Sequence, residues 1–366
     1  MKLLMTADAV GGVWVYALEL CRALSVRGVD IVLATMGPPP DAEQRRCAAR
    51  IPGLTLYCST YRLEWMDEPW DEVERAGRWL LRLAEQETVD VIHLNGYSHA
   101  ALEWRQPVVV AAHSCVCSWW SAVHGGMPPA RWDCYRCQVE RGLAHAAAVV
   151  APTHAFMRQL AHIYSFSSPR CVIPNARSVA MDGVRAQAEK DPLVFACGRL
   201  WDEAKNLHVL DAVAQNIEWP VVVAGDVRSP DGREALSTAI QCIGRCNERE
   251  IVQWLQRAAI FAHPARYEPF GLAVLEAAHA GCALVLSDID TLRETWDGAA
   301  LFADATSVEA FGETLRQLIG DAGTRSVWAM RAHQRAAQLT PAHMGEMYQA
   351  LYRGLFRQSA TARSCV

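Results

Sequence analysis

The stretch His263-Pro264-Ala265-Arg266-Tyr267-Glu268-Pro269-Phe270-Gly271-Leu272-Ala273-Val274-Leu275-Glu276-Ala277 governs how the rest of the chain is read. An apolar run ends near Ala262, a short loop holds Glu268 and Pro269, and helical spacing begins around Phe270 or Gly271. Strand, tight turn and helix make half of a βαβ unit, and such units build parallel sheets. Gly271 lets the backbone approach a ligand closely, and the first free N–H groups of the helix suit an anion. Glu276 follows about a turn and a half into that helix, so it and Glu268 can line one cleft. Taken alone, the residues also allow a plainer arrangement, with Glu268 capping the helix and Glu276 on a solvated face.

The same alternation extends in both directions. Strand candidates in the first half are residues 2–6, 30–35, 54–58, 90–95, 107–112, 147–151 and 171–173. A second series follows at 193–197, 220–224, 241–243, 259–262, 283–286 and 300–302. Helical patterns occupy 13–27, beyond Gly11-Gly12, and 71–86, where Val73, Ala76, Leu80, Leu83 and Ala84 recur at helical spacing. Pro38-Pro39-Pro40 stops the second strand. Ile173-Pro174-Asn175 and a polar stretch from Arg177 to Asp191 separate the two series, which places a domain boundary near 177. The expectation is two doubly wound α/β domains, 1–176 and 177–340, facing across a deep cleft, with ligands at the carboxyl ends of the strands. A tail helix over about 341–357 carries an apolar stripe of Met344, Met347, Tyr348, Leu351 and Leu355.

The bulk numbers agree with a globular two-domain protein. There are 366 residues, 51% of them hydrophobic and 20% charged. The formal charge of −5 gives no general drive toward nucleic acid. The longest apolar runs are far short of a membrane span, and Met1-Lys2-Leu3-Leu4-Met5-Thr6-Ala7-Asp8 turns polar too early for a signal peptide. Thirteen cysteines without an export signal point to reduced thiols in a cytoplasmic protein.

A second cluster, Cys197-Gly198-Arg199-Leu200-Trp201-Asp202-Glu203-Ala204-Lys205-Asn206, occupies the first strand–helix turn of the second series. Arg199 and Lys205 bring two cations to that strand end, and two charge-assisted contacts at roughly 1.5–3 kcal/mol each suit a diphosphate. Local pairing of Lys205 with Asp202 or Glu203 is the alternative.

With these residues in place, the chain resembles glycosyltransferase family 4, the retaining, nucleotide-sugar-dependent group with the GT-B fold. The resemblance rests on Gly11-Gly12, Ile173-Pro174-Asn175, Gly198-Arg199 with Lys205-Asn206, Gly225-Asp226, and Glu268-Pro269-Phe270-Gly271-Leu272 leading to Glu276. It spans nearly the whole length, and the order and spacing of the elements together carry it. It implies transfer of a sugar from a nucleoside-diphosphate sugar, with UDP favoured and GDP the alternative, to an acceptor hydroxyl. Arg199 and Lys205 would bind the diphosphate and stabilise the leaving charge, so no metal or other cofactor is implied. Phe270, Gly271 and Leu272 would offer their backbone, Glu268 would contact sugar hydroxyls, and Glu276 the ribose. Gly11 and Gly12 would let a loop of the first domain close on the diphosphate, and His113 would lie near the donor sugar. The resemblance also implies that the tail helix packs back on the first domain.

Other features stay open. Val227 follows Gly225-Asp226 where relatives carry a further glycine, and Thr153 stands where many carry serine. Cys115-x-Cys117 and Cys134-x-x-Cys137 have the ligand types for zinc, though buried small apolar residues are the simpler reading. Trp119 and Trp120, in the same loop-rich segment before a helix near 139–146, could stack an acceptor sugar or aglycone. Arg45, Arg46 and Arg50 mark a small basic helix, either a solvated face or a peripheral contact with the inner face of a membrane. Competing functions are another GT-B activity such as a phosphorylase or epimerase, a catalytically dead sugar-nucleotide-binding module, and an NAD-dependent dehydrogenase. For the last, Gly-x-Gly-x-x-Gly is missing and Ala34-Thr35-Met36 offers no carboxylate to a ribose.

Overall fold

The computed structural model describes residues 1–178, 190–228 and 239–364, so most of the polar stretch expected after Arg177 lies outside the described residues. The first series of strands is β1 (Lys2–Asp8), β2 (Asp30–Met36), β3 (Leu54–Cys58), β4 (Val91–Leu94), β5 (Val108–Ala111), β6 (Ala148–Ala151) and β7 (Arg170–Val172). Helices α1 (Gly12–Ser25), α2 (Ala42–Ala49), α3 (Trp70–Gln86), α4 (Val116–His124), α5 (Asp133–His145) and α6 (His154–Ile163) lie between them. The second series is β8 (Asp191–Cys197), β9 (Val221–Ala224), β10 (Gln241–Cys242), β11 (Ala258–His263), β12 (Ala283–Ser287) and β13 (Leu301–Ala303). Its helices are α7 (Leu207–Ala214), α8 (Glu248–Arg257), α9 (Leu272–His279), α10 (Asp290–Trp296), α11 (Val308–Gly320) and α12 (Ala322–Ala336), and α13 (Pro341–Ser364) closes the chain.

Each series forms one parallel sheet, ordered β3-β2-β1-β4-β5-β6-β7 and β10-β9-β8-β11-β12-β13. Runs such as Val108-Val109-Val110 and Val221-Val222-Val223 are buried throughout because helices cover both faces of the sheet. Period-two alternation then divides the second unit into two cores. Phe195, Val222, Phe261 and Leu284 face one layer of helices, while Val194, Val223, Ile260 and Val285 face the other. The strand order turns back between β1 and β4 in one sheet and between β8 and β11 in the other. Sheets of this type hold ligands at the carboxyl ends of the strands flanking that switch.

The chain divides into two compact units, one of Met1–Ser121, Gly126–Ala176 and Pro341–Val366, the other of Ala122–Gly125 and Arg177–Thr340. The first unit therefore recruits the end of the chain. Met344, Tyr348 and Tyr352 recur every four residues along α13 and are buried with Tyr16, Leu20 and Leu24 of α1. Gly345 makes the close approach: a Cβ there would stand 2.7 Å from that of Ala23.

Two expectations need correction. The segment after His113 is helical rather than loop-rich: α4 starts where the Cys115 thiol accepts the Ser118 N–H at 3.2 Å, and α5 begins at Asp133, well before 139. Gly125-Gly126 and Pro128-Pro129 punctuate only the link between the two helices. Cys115 and Cys117 are buried as small apolar residues, but Cys134 and Cys137 are exposed on α5, and no metal-holding group of three or more His, Cys, Asp or Glu occurs among the described residues. On α2, Arg46 pairs with Glu43 and Arg45 donates to the Pro40 carbonyl, so its positive charge is partly neutralised. No helix among the described residues is long and apolar enough to cross a membrane.

Candidate active site

The turn after β8 and the turn after β11, on either side of the switch in the second sheet, are tied together by main chain. The Asn206 side chain donates to the carbonyls of Pro264 and Ala305, both at 2.8 Å, and the Arg266 N–H donates to the Ala204 carbonyl at 2.8 Å. Asn206 holds a left-handed backbone (φ 59°), which asparagine tolerates better than other side chains, so one residue turns the loop and pins it. Gly225, after β9, closes the other side: a Cβ there would stand 1.8 Å from the Gly198 carbonyl oxygen. The Leu200 N–H donates to the Asp226 carbonyl at 2.9 Å, so Gly225-Asp226 braces the β8 turn in spite of the following Val227.

This knitting brings Lys205 to Glu268. The ammonium lies 2.8 Å from Oε2 of Glu268, and Nε2 of His263 lies 3.2 Å from the same oxygen. Burial alone would raise the Glu268 carboxyl, but Lys205 and the His263 hydrogen bond outweigh it and hold the group far below its ordinary value. Burial lowers His263 as well, so a neutral imidazole donates its Nε2–H to an ionised carboxylate. Thr291 fixes the backbone of this acid by donating its hydroxyl to the Glu268 carbonyl at 2.6 Å. Lys205 is therefore paired across the two turns, with neither Asp202 nor Glu203. Asp202 accepts instead from Arg199 at 2.9 Å and from the Ala204 N–H at 3.0 Å. Arg199 remains half exposed with its guanidinium beside the Trp201 ring.

Glu268 does not cap the next helix. Gly271 occupies that position with φ 92°, and among the described residues the N-terminus of α9 has no side-chain cap hydrogen bond. The arrangement leaves N–H groups of the first turn for an anion beside two cations. Phe270 is buried in the core, so only its backbone faces the turn, and Leu272 packs partly against the same core. Glu276 is held rather than solvated: Nε of the buried Arg177 donates to its Oε1 at 2.8 Å, and the other end of that guanidinium bonds Glu248. Cys197, at the end of β8, has its thiol raised by burial, raised further by the charge of Glu276, and lowered by Lys205, which puts both charged groups around one strand end. Arg177 and Thr291 are the residues that sequence reading missed. Only the place of Arg177, directly after Ile173-Pro174-Asn175-Ala176, offered a signal for either.

In the first unit, Gly11 (φ 76°) precedes the first turn of α1, and no side chain caps that helix. Gly11 and Gly12 are both exposed, and no heavy atom lies within 4 Å of a Cβ built on Gly11. His113 follows β5 with Nε2 at 2.8 Å from Oδ1 of Asn95, and its ring meets that of Tyr16 edge-on at 4.4 Å. Burial, with His93 adding to it, lowers His113 to about 3. Trp119 and Trp120 sit half-buried on α4 with their rings edge to face at 6.2 Å. Thr153 caps α6 by accepting the Phe156 N–H.

Comparison with known proteins follows the same division. Residues 10–180 match the family described as Glycosyltransferase Family 4, and residues 181–335 match Glycosyl transferases group 1. The chain is 23% identical to the D-inositol 3-phosphate glycosyltransferase of Jonesia denitrificans, over 95% of this chain and 92% of that one. A shorter match, 30% identical over 101 residues, joins 28% of this chain to 26% of the O-antigen chain mannosyltransferase B of Escherichia coli. Among solved structures, the sucrose-phosphate synthase of Thermosynechococcus elongatus is similar with a TM-score of 0.80 at 16% identity, covering 98% of this chain and 100% of that one. The Anabaena protein HepE, solved with UDP and glucose, is similar with a TM-score of 0.74 at 16% identity, covering 97% of this chain and 100% of that one.

Proposed function

The chain belongs to the group 1, family 4 glycosyltransferases of the GT-B type, and from that premise we propose that it transfers a sugar from a nucleoside-diphosphate sugar to an acceptor hydroxyl with retention of anomeric configuration. One observation carries the reading: Lys205 and Arg199 stand at a strand end beside an uncapped helix N-terminus, with an acid held ionised against the lysine. Lys205 and Arg199 are each held by a carboxylate, Glu268 and Asp202, so positive charge sits at fixed positions before a ligand arrives. A diphosphate leaving group needs such a place, because its charge grows as the glycosidic bond to phosphate breaks.

In this reading Arg199 and Lys205 take the diphosphate oxygens, and N–H groups of the first turn of α9 add to them. Glu268 accepts hydroxyls of the donor sugar, an acceptor-only role its suppressed protonation suits. Glu276, aimed by Arg177, contacts the ribose hydroxyls. In the first unit, the backbone at the exposed Gly11 and Gly12 suits a phosphate and the His113 ring suits a sugar hydroxyl. The acceptor oxygen attacks on the face the leaving group departs from, and a phosphate oxygen takes its proton. Arg199, Lys205 and the helix N–H groups supply the electrophilic assistance, so this reading requires no divalent metal. UDP is the favoured nucleotide; a relative of this fold was solved with it. Trp119 and Trp120 offer aromatic faces to the acceptor.

The test is a panel of UDP- and GDP-sugars crossed with hydroxyl acceptors, run with and without chelator. We expect free nucleoside diphosphate to appear only with a suitable acceptor, undiminished by chelator, and a product with the donor's anomeric configuration by NMR. An inverted product, sugar phosphate formed from inorganic phosphate, or an epimer formed without acceptor would each refute it.

A further inference from the structure

The amide of Asn95, just beyond β4, has one orientation. Its Nδ2 donates to the Thr6 carbonyl at 2.7 Å, and its backbone N–H donates to the Thr6 hydroxyl at 3.0 Å. A flipped amide would set oxygen against oxygen at the Thr6 carbonyl. Oδ1 therefore turns the other way, where Nε2 of His93 lies at 3.0 Å and Nε2 of His113 at 2.8 Å. An amide oxygen only accepts, so both imidazoles carry hydrogen on Nε2. Both rings are neutral, since burial lowers His93 to about 4 and His113 to about 3. A neutral ring with hydrogen on Nε2 has a bare lone pair on Nδ1.

For His93 that lone pair is used inside the fold. The Tyr352 hydroxyl lies 2.6 Å from Nδ1 and must be the donor. Tyr352 and His93 are both fully buried, and Tyr352 comes from α13, almost 260 residues away in sequence. Tyr16, Tyr348 and Tyr352 enclose the His93 ring, and Tyr16 also holds the His113 ring from its edge. His113 is only partly covered, and its Nδ1 is the nitrogen left able to accept.

We propose that Tyr352, His93 and Asn95 form a positioning relay that fixes His113 in its Nε2–H tautomer, so that Nδ1 serves as a hydrogen-bond acceptor for a hydroxyl of the sugar substrate. The inference rests on the sugar-transfer reading for the identity of the hydroxyl, and on the hydrogen-bond directions alone for the tautomer. His113 touches substrate; the other three act through it. The relay also gives α13 a consequence beyond packing, because the Tyr352 hydroxyl occupies Nδ1 of His93 and so supports the tautomer that Asn95, itself oriented by Thr6, accepts from.

Two-bond proton–nitrogen correlation spectra of the full chain with 15N-labelled histidine read the tautomers directly, with His93→Gln and His113→Gln assigning the signals. The wild type should show single Nε2–H forms at both positions. Asn95→Ala should convert His113 to a tautomer mixture and lower kcat about tenfold with donor KM within twofold. Tyr352→Phe, which removes one hydroxyl and keeps the packing, should mix the His93 tautomers and lower kcat in the same direction by a smaller factor. An Nδ1–H form of His113 in the wild type, or wild-type kcat in both variants, would overturn the relay. A wrong tautomer in a chain that transfers sugar counts against the relay alone, while a correct tautomer in a chain that binds no nucleoside diphosphate counts against the sugar-transfer reading.

Discussion

Lys205 and Glu268 show how far single residues could be read before folding was considered. Their chemistry was legible as two candidate partners of one donor, but their pairing with each other was not, because 63 residues separate them and Asn206 supplies the bond that joins the turns. The pairing sharpens what substitution should do. Lys205→Ala removes a preorganised cation and leaves Glu268 buried without its main counter-charge, and Glu268→Ala removes the carboxylate proposed to accept the donor sugar's hydroxyls. Each should lower kcat/KM by about 3 kcal/mol, roughly a hundredfold or more, while the thermal transition persists. Retention of full turnover in either variant would remove that residue from the site. Glu276 teaches the same lesson from the other side, since the arginine that aims it lies 99 residues earlier. The two histidines of the first unit add a pH dependence. Each titrates near 6.5 when unfolded and well below that when folded, so the unfolded chain binds more protons in between. Their contribution to stability is complete above about pH 6.5 and is lost as pH falls from there toward about 4, at roughly 1.4 kcal/mol per pH unit per histidine. Urea denaturation across that range should show this slope, and His93→Gln should halve it; an unchanged slope would deny that the ring is buried in its neutral form.

At the scale of elements, apolar runs and their spacing made the strands legible, because a strand covered on both faces needs no polar positions. The helix α4 and the first turns of α5 were not legible. Gly125-Gly126 and Pro128-Pro129 dominate the local composition, and the start of α4 depends on a cysteine thiol accepting an N–H, a cap that residue preferences do not advertise. The β8, β9 and β11 turns act as one element, and Gly225 is where that can be probed. With φ 148° and a Cβ that would stand 1.8 Å from the Gly198 oxygen, Gly225→Ala must push the β8 turn away from β9. We expect a lower melting temperature, by an amount equivalent to about 1–3 kcal/mol, together with weaker donor binding. Unaltered melting would mean that the two turns are not in contact in solution. Tyr348 was visible in the apolar stripe of α13, but Tyr352 was not part of it, and its hydroxyl reaching His93 could not be read, since an apolar stripe says nothing about which polar tips are satisfied beside it.

Across the whole molecule, a net charge of −5 misleads about partners. It describes the bulk surface, whereas the anion site proposed for this chain is local, built from Arg199, Lys205 and the N–H groups of one helix turn. Parallel architecture explains why these can gather: a doubly wound sheet places turns from distant parts of the chain at one edge, and the strand-order switch leaves a gap there. The family was readable because its marks fall at such turns, while the donor's base and the acceptor depend on side-chain surfaces that turn motifs do not specify. The central claim is that the paired turns after β8 and β11 hold the diphosphate of a sugar nucleotide. Isothermal titration of UDP, GDP and the corresponding nucleosides into the wild-type chain and Lys205→Ala tests it most directly. Two charge-assisted contacts predict that the better diphosphate binds the wild type at least ~100-fold more tightly than its nucleoside, and that Lys205→Ala loses about tenfold or more of that margin. Equal binding of diphosphate and nucleoside, or a diphosphate affinity unchanged in Lys205→Ala, would contradict it.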